Sequence, residues 1–315
     1  MQFIDDLINF AVFRHALLTG LMVGVVCSVL SVIVVLKRMA FIGQGISHAG
    51  FGGVGTAVLI GPAVGSLFAL PMLDRLPWWL RDAVPAFDDF VVLAFCIATA
   101  VLIGVMTRRR QLEADSAIGI LLAGTMAWGV LMTNIATTLH DTDWWVTRFG
   151  VRGAVPSFEQ LLFGSLMSVS FEDMWTALVL GLLVLTLLAV LAKEMLFFAF
   201  DETAARVFGV RTTVMYYLLL VLLSLTIVMS MRLVGFVLVS ALLVIPGATA
   251  VLVSQRLGRV LVLAVAVGVL GVAGGLVLSL ELNLSSGATI VGVLCAIFGV
   301  TYVGRAGLNR RVVRA

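Results

Sequence analysis

The stretch ALLTGLMVGVVCSVLSVIVVLKRMAFIGQGISHAGFGGVG, residues 16 to 55, decides how the chain is read. Its first half is an unbroken apolar run that ends at Lys37 and Arg38, and about 17 to 25 such residues suffice to cross a bilayer. Its second half is glycine-rich and carries His48. An imidazole is costly in hydrocarbon and is usually there to bind or relay something. The chain has only three histidines; His15 lies at the edge of an apolar segment and His140 in a polar loop.

Working outward, the same pattern repeats along all 315 residues. Hydrophobic residues make up 62% and charged residues 12%, whereas a soluble domain is about one quarter charged. The composition therefore predicts an integral membrane protein, all-α and polytopic. Apolar runs of spanning length lie at about 12–36, 46–70, 90–107, 116–136, 174–192, 212–230, 233–254, 260–280 and 286–304. Glycines and Pro62 interrupt the second, and Pro246-Gly247 is read as breaking the seventh, so eight or nine spans are expected within a single transmembrane domain over 1–315. The first run does not read as a cleavable signal, since it lacks a basic n-region and a small-residue cleavage site.

Cytoplasmic loops collect Lys and Arg. Nine spans with the N-terminus outside put fourteen Lys and Arg on the inner side, from Lys37 and Arg38 to the basic tail 305–315, against six outside. The net charge of +3 reflects this sidedness and calls for a lipid membrane, with no nucleic-acid partner. Acidic residues gather on the expected outer face, which would attract cations. Two outer stretches, 71–89 and 137–160, mix aromatic and charged residues in the manner of interfacial loops. The second contains His140, Asp141 and Asp143, a cluster that reads either as a metal-entry site or as ordinary solvated loop. Cys27, Cys96 and Cys295 lie singly inside apolar spans and are expected to be buried small side chains.

One inner connection has helical character. Residues 199–211, AFDETAARVFGVR, predict a short amphipathic helix with Asp201 as cap, Glu202 and Thr203 in its first turn, and Gly209 as terminator. Glu202 and Arg206 stand one turn apart and can pair. Small alanines in place of bulky anchors favour docking in a groove of another protein over lying on the lipid surface.

Around His48 the glycines Gly43, Gly45 and Gly50 allow close helix packing, and they also predict a loosened helix of the kind that lines a substrate path. Gln44 lies four residues before His48, so both project from one helical face, with Ser47 adjoining. An imidazole and an amide oxygen are two donors that a divalent transition metal accepts. The alternative is a histidine satisfied by a neighbouring carbonyl or hydroxyl.

At this point the chain resembles the membrane permease subunit of the zinc, manganese and iron class of ATP-binding cassette importers. The resemblance runs from about residue 12 to 304 and is carried by the opening stretch together with DSAIGILLAGTMAWGVLM (115–132), LLFGSLMSVSFEDM (161–174), FDETAARVFGVRT (200–212), VGFVLVSALLVIPGATA (234–250) and LNLSSGATIVGVL (282–294). It implies that His48 takes part in the translocation path. In that family an acidic residue stands one turn before this histidine; here the position is Gln44. It also implies that Asp201, Glu202, Ala205, Arg206 and Gly209 belong to a coupling helix that fits a cytoplasmic ATPase subunit. Asn283 and Ser285 stand where an aspartate and a proline are common. The implied partners are that ATPase, an extracytoplasmic metal-binding protein and a second permease chain, identical or related. No cofactor is expected to reside in the chain: the divalent metal ion passes through, and ATP is bound by the partner.

The residues limit the rivals. The chain has no GxxxxGK[ST] sequence, so ATP hydrolysis is expected of another subunit. A permease for a chelated metal, of siderophore or cobalamin type, would share that partner but should be longer. A secondary transporter needs carboxylates within the membrane, and these spans hold almost none. An enzyme needs more than one histidine and one glutamine.

Overall fold

A computed structural model describes residues 11–68, 87–108, 113–140, 164 and 169–312. These residues form twelve helices. In chain order they are α1 (Ala11–Leu36), α2 (Ala40–Phe68), α3 (Phe87–Arg108), α4 (Ala114–His140), α5 (Phe171–Val190), α6 (Ala192–Phe200), α7 (Glu202–Val207), α8 (Thr212–Val234), α9 (Phe236–Leu242), α10 (Ile245–Val253), α11 (Leu257–Leu282) and α12 (Ser286–Val312). Eight stretches are long and apolar enough to cross a bilayer, and α2, 29 residues long, is a further extended helix. The chain is thus an all-α, multi-pass bundle, with boundaries close to those expected from hydropathy.

The described residues fall into two compact units, and the boundary lies within α2. The first unit holds the described residues up to Gly43 and from 164 onward, with α1 at its centre. Two thirds of α1's apolar window is inside the protein, 67%, against 17% for α12. Lipid tails are as apolar as leucine, so helices in a bilayer associate through close packing. Accordingly α1 meets its neighbours with small residues. A Cβ on Gly247 of α10 would stand 2.6 Å from the Ser31 carbonyl oxygen, and one on Gly268 of α11 would collide with Ser28 Oγ. The two serine hydroxyls turn inward to their own helix: Ser28 donates to the Gly24 carbonyl at 2.6 Å and Ser31 to that of Ser28 at 2.7 Å. Val32, Ala250, Val260 and Ala264 join α1, α10 and α11 in a buried cluster.

The seventh run is broken, but not at Pro246-Gly247 as expected. Helix α9 ends at Leu242, a turn follows at Leu243–Val244, and Pro246 and Gly247 are the second and third residues of α10. A proline ring clashes with the carbonyl four residues earlier, which is that of Leu242, so the preceding helix stops there and proline opens the next. Gly247 serves the contact with Ser31 instead.

The second unit holds the described residues from Gln44 to 140. Here the expectation of a loosened helix around Gly43, Gly45 and Gly50 is corrected: α2 is continuous from Ala40 to Phe68 and passes through Pro62. Its glycines admit other helices. A Cβ on Gly52 would lie 2.8 Å from Phe95 Cε1, one on Gly53 2.9 Å from Val92 Cα, and one on Gly55 2.6 Å from the Gly129 carbonyl oxygen. Trp128 Nε1 of α4 donates to Thr56 Oγ1 at 3.0 Å. Cys27 and Cys96 are buried as expected, whereas Cys295 is exposed on the sparsely covered α12.

A glycine's role can be read from what its missing Cβ would meet. On Gly275 of α11 a Cβ would strike the backbone of Ile290, which has no flexible end to give way, while Gly119 of α4 has nothing within 4 Å. Gly275→Ala is predicted to destabilise the detergent-solubilised protein by about 2 kcal/mol, and Gly119→Ala to leave it unchanged or more stable by about 0.5 kcal/mol. Paired thermal unfolding curves check both.

Candidate functional site

His48 and Gln44 stand one turn apart on α2, and the helix leaves their side partly open. Gln44 is exposed and His48 half-buried, while Ser47 is fully buried. Ser47 therefore packs inside the protein, and the open stripe runs from Phe41, which is 59% exposed, through Gln44 to His48. Continuing along the same stripe, Gly55 lies two turns beyond His48, and there the Gly129 backbone of α4 covers the helix. The stripe is thus open at the level of Gln44 and His48 and closed above.

The donors on this stripe are neutral: an imidazole and an amide. Among the described residues no group of three His, Cys, Asp or Glu is placed to hold a metal ion. An imidazole and an amide oxygen are donor types that a divalent transition metal accepts. His140 is the last residue of α4, while Asp141 and Asp143 lie outside the described residues, as do most of the two outer stretches, 71–89 and 137–160.

The amphipathic helix predicted at 199–211 is present but shorter. Residues 199 and 200 end α6, and α7 occupies Glu202–Val207. Asp201 caps it as expected, Oδ1 accepting from the Thr203 and Ala204 amides at 2.9 Å each, a cap worth about 1 kcal/mol. Gly209, at φ 85°, closes the other end. Its amide donates to the Arg206 carbonyl at 3.1 Å and that of Val210 to Ala205 at 2.9 Å, the paired hydrogen bonds of a left-handed helix terminus. Ala205 is fully buried.

Of the five residues that the resemblance assigned to this helix, Asp201, Ala205 and Gly209 shape and seat it. Arg206 is 69% exposed. Beside it Val207 and Phe208 are 81% and 78% exposed, the most open apolar pair in this region, and the helical pattern marked them only as apolar.

Among the described residues, Lys37 and Arg206 both face Glu202. The expected pair with Arg206 is loose, at 3.7 Å. The closer contact is Lys37 Nζ, 2.9 Å from Glu202 Oε2, and Lys37 also lies 3.7 Å from the centroid of the Phe198 ring. No sequence signal linked residues 165 positions apart. The contact puts the connection after α1 and the connection before α8 at one end of the first unit. His15 and Phe171, with ring centroids 5.6 Å apart, mark the opposite end of α1 and α5, as alternating crossings require.

The chain is similar to known transport proteins along most of its length. The model of the ABC 3 transport family matches residues 9–304. The manganese transport system membrane protein MntC of Halalkalibacterium halodurans is 31% identical over 300 residues, covering 95% of this chain and 89% of that one. A Haemophilus influenzae protein named "Probable iron transport system membrane protein" is 30% identical over 292 residues, 92% of this chain and 93% of that one. Among solved structures, PsaBC from Streptococcus pneumoniae in complex with Fab superposes with a TM-score of 0.74 at 26% identity, covering 96% of this chain and 94% of that chain. A multi-pass helical bundle with an open His48 stripe and a capped inner helix, matched from end to end, belongs to the ABC 3 transport family of cell-membrane permeases.

Proposed function

We propose that this chain is the permease subunit of an ATP-driven importer for a divalent transition metal ion, manganese or iron first and zinc within the same class. The observation that carries the proposal is the open stripe with Gln44 and His48 one turn apart, in a chain whose manganese- and iron-named relatives match it along more than nine tenths of its length. The ion is cargo. One chain supplies two neutral donors, fewer than a divalent transition metal takes, so a second permease chain related by a two-fold axis completes the path with the same pair. Gln44 in place of a carboxylate lowers the affinity, which favours release. A metal-binding protein delivers the ion on the outer side.

The driving force comes from a cytoplasmic ATPase subunit that receives α7. Arg206, Val207 and Phe208 form the docking face, while Asp201, Ala205 and Gly209 hold the helix in shape. An exposed valine and phenylalanine flanked by a guanidinium suit an apolar groove with an acidic rim.

Three outcomes test this in proteoliposomes that contain the permease, ATPase and binding protein. Even an outer-sphere partner of a metal ligand is worth about 10- to 100-fold, so His48→Ala should lower ATP-dependent manganese uptake by at least about tenfold. Uptake at the wild-type rate contradicts the path. Gln44→Glu should lower both KM and the maximal rate, because a carboxylate holds the ion more tightly and releases it more slowly; unchanged kinetics contradict a role for position 44. Val207→Asp should abolish co-purification of the ATPase while the permease still elutes as a folded species, and full retention of the ATPase contradicts the docking face.

A further inference from the structure

Helix α1 ends in a rigid turn. The Arg38 amide donates to the Val35 carbonyl at 3.0 Å and the Met39 amide to that of Val34 at 2.9 Å, with Arg38 at φ 56°. This is the left-handed terminus usually given to glycine, built here on arginine. Such a backbone is unfavourable for an L side chain and persists where the surroundings fix it. Helix α2 begins at Ala40, one turn before Gln44 and two before His48. Whatever moves this turn moves the foot of the helix that carries both donors.

The side chain that leaves the turn is Lys37, and it ends on α7. Its ammonium contacts Glu202 at 2.9 Å and faces the ring of Phe198 at 3.7 Å. Phe198 is fully buried, and the Lys37 and Glu202 side chains are only 13% and 33% exposed. An exposed ion pair is largely screened and contributes little; this one is held against an aromatic floor and sheltered from water. Glu202 is also divided: Oε2 faces Lys37, while Oε1 faces Arg206 of the docking face at 3.7 Å.

Helix α7 is joined to its neighbours by Asp201 on one side and by Gly209 at positive φ on the other. This six-residue helix is seated by the buried Ala205 and tied to the end of α1 through Glu202. The tie from Glu202 to Lys37 links its displacement to the α1–α2 turn. We infer that the Lys37–Glu202 ion pair is the strut that transmits movement of the ATPase-docked helix α7 to α2, and so couples ATP hydrolysis to the Gln44–His48 stripe. Lys37 and Glu202 are positioning residues: neither touches the transported ion. The inference rests on the reading of α7 as the ATPase dock.

The test compares Lys37→Met, Lys37→Arg, Glu202→Gln and the exchanged pair Lys37→Glu/Glu202→Lys in the assembled complex in proteoliposomes. The readout is the number of manganese ions taken up per ATP hydrolysed. Lys37→Met and Glu202→Gln should each lower this ratio by about fivefold or more, the size of a typical coupling between sites. Lys37→Arg and the exchanged pair should recover at least about half of it, a rescue that a purely structural loss does not give. Lys37→Met should still co-purify with the ATPase. An unchanged ratio in Lys37→Met overturns the strut, as does an exchanged pair no better than the single variants. If Lys37→Met fails to fold, Glu202→Gln and Lys37→Arg decide: the strut requires loss in the first and retention in the second. Retention of the ATPase by Val207→Asp would remove the docking reading and the strut with it. Release of the ATPase by Val207→Asp, with full coupling in Lys37→Met, would remove the strut alone.

Discussion

The constraint on which the rest depends is that a backbone in hydrocarbon must satisfy its own hydrogen bonds, after which helices are held together by how closely their surfaces approach. The first condition makes the chain a set of helices. The second explains why glycine and serine appear where helices cross: Gly247 against the Ser31 carbonyl, Gly268 against Ser28, and Gly55 against Gly129. In such a protein a polar group that keeps an open side stands out. Gln44 is exposed and His48 half-buried one turn apart on α2, so both keep such a side.

The same logic organises the inner end. Helix α7 keeps its shape through Asp201 and Gly209 and its seat through Ala205, which leaves Arg206, Val207 and the adjoining Phe208 exposed. Lys37 brings a charge from the end of a central helix to that seat. The link between the proposed docking face and the His48 helix is short: one ion pair, a three-residue turn and one turn of α2.

Much of this was legible in the sequence. The apolar runs located the helices closely, the first at 12–36 against Ala11–Leu36 and the eighth at 260–280 against Leu257–Leu282, because bilayer thickness leaves little freedom. Asp201 and Gly209 were legible because caps are local. The glycines near His48 misled, since one residue type serves both a broken helix and a tight crossing, and only the facing surface of α3 or α4 separates the two. The break expected at Pro246-Gly247 lies three residues earlier, at Leu243–Val244, because a proline acts on the carbonyl one turn back. Lys37 was invisible as a partner of Glu202, since a contact across 165 residues leaves no periodic mark. The exposure of Val207 and Phe208 was hidden for a related reason: a short amphipathic helix does not say which face its host covers.

In the proposed function His48 takes the transported ion as a ligand in passing. The most direct test is pulsed electron paramagnetic resonance of manganese held in the nucleotide-trapped complex, with the permease labelled by nitrogen-15 histidine and His15 and His140 replaced. Nitrogen-15 hyperfine coupling from an imidazole bound to manganese is the expected result. Bound manganese without that coupling would contradict it.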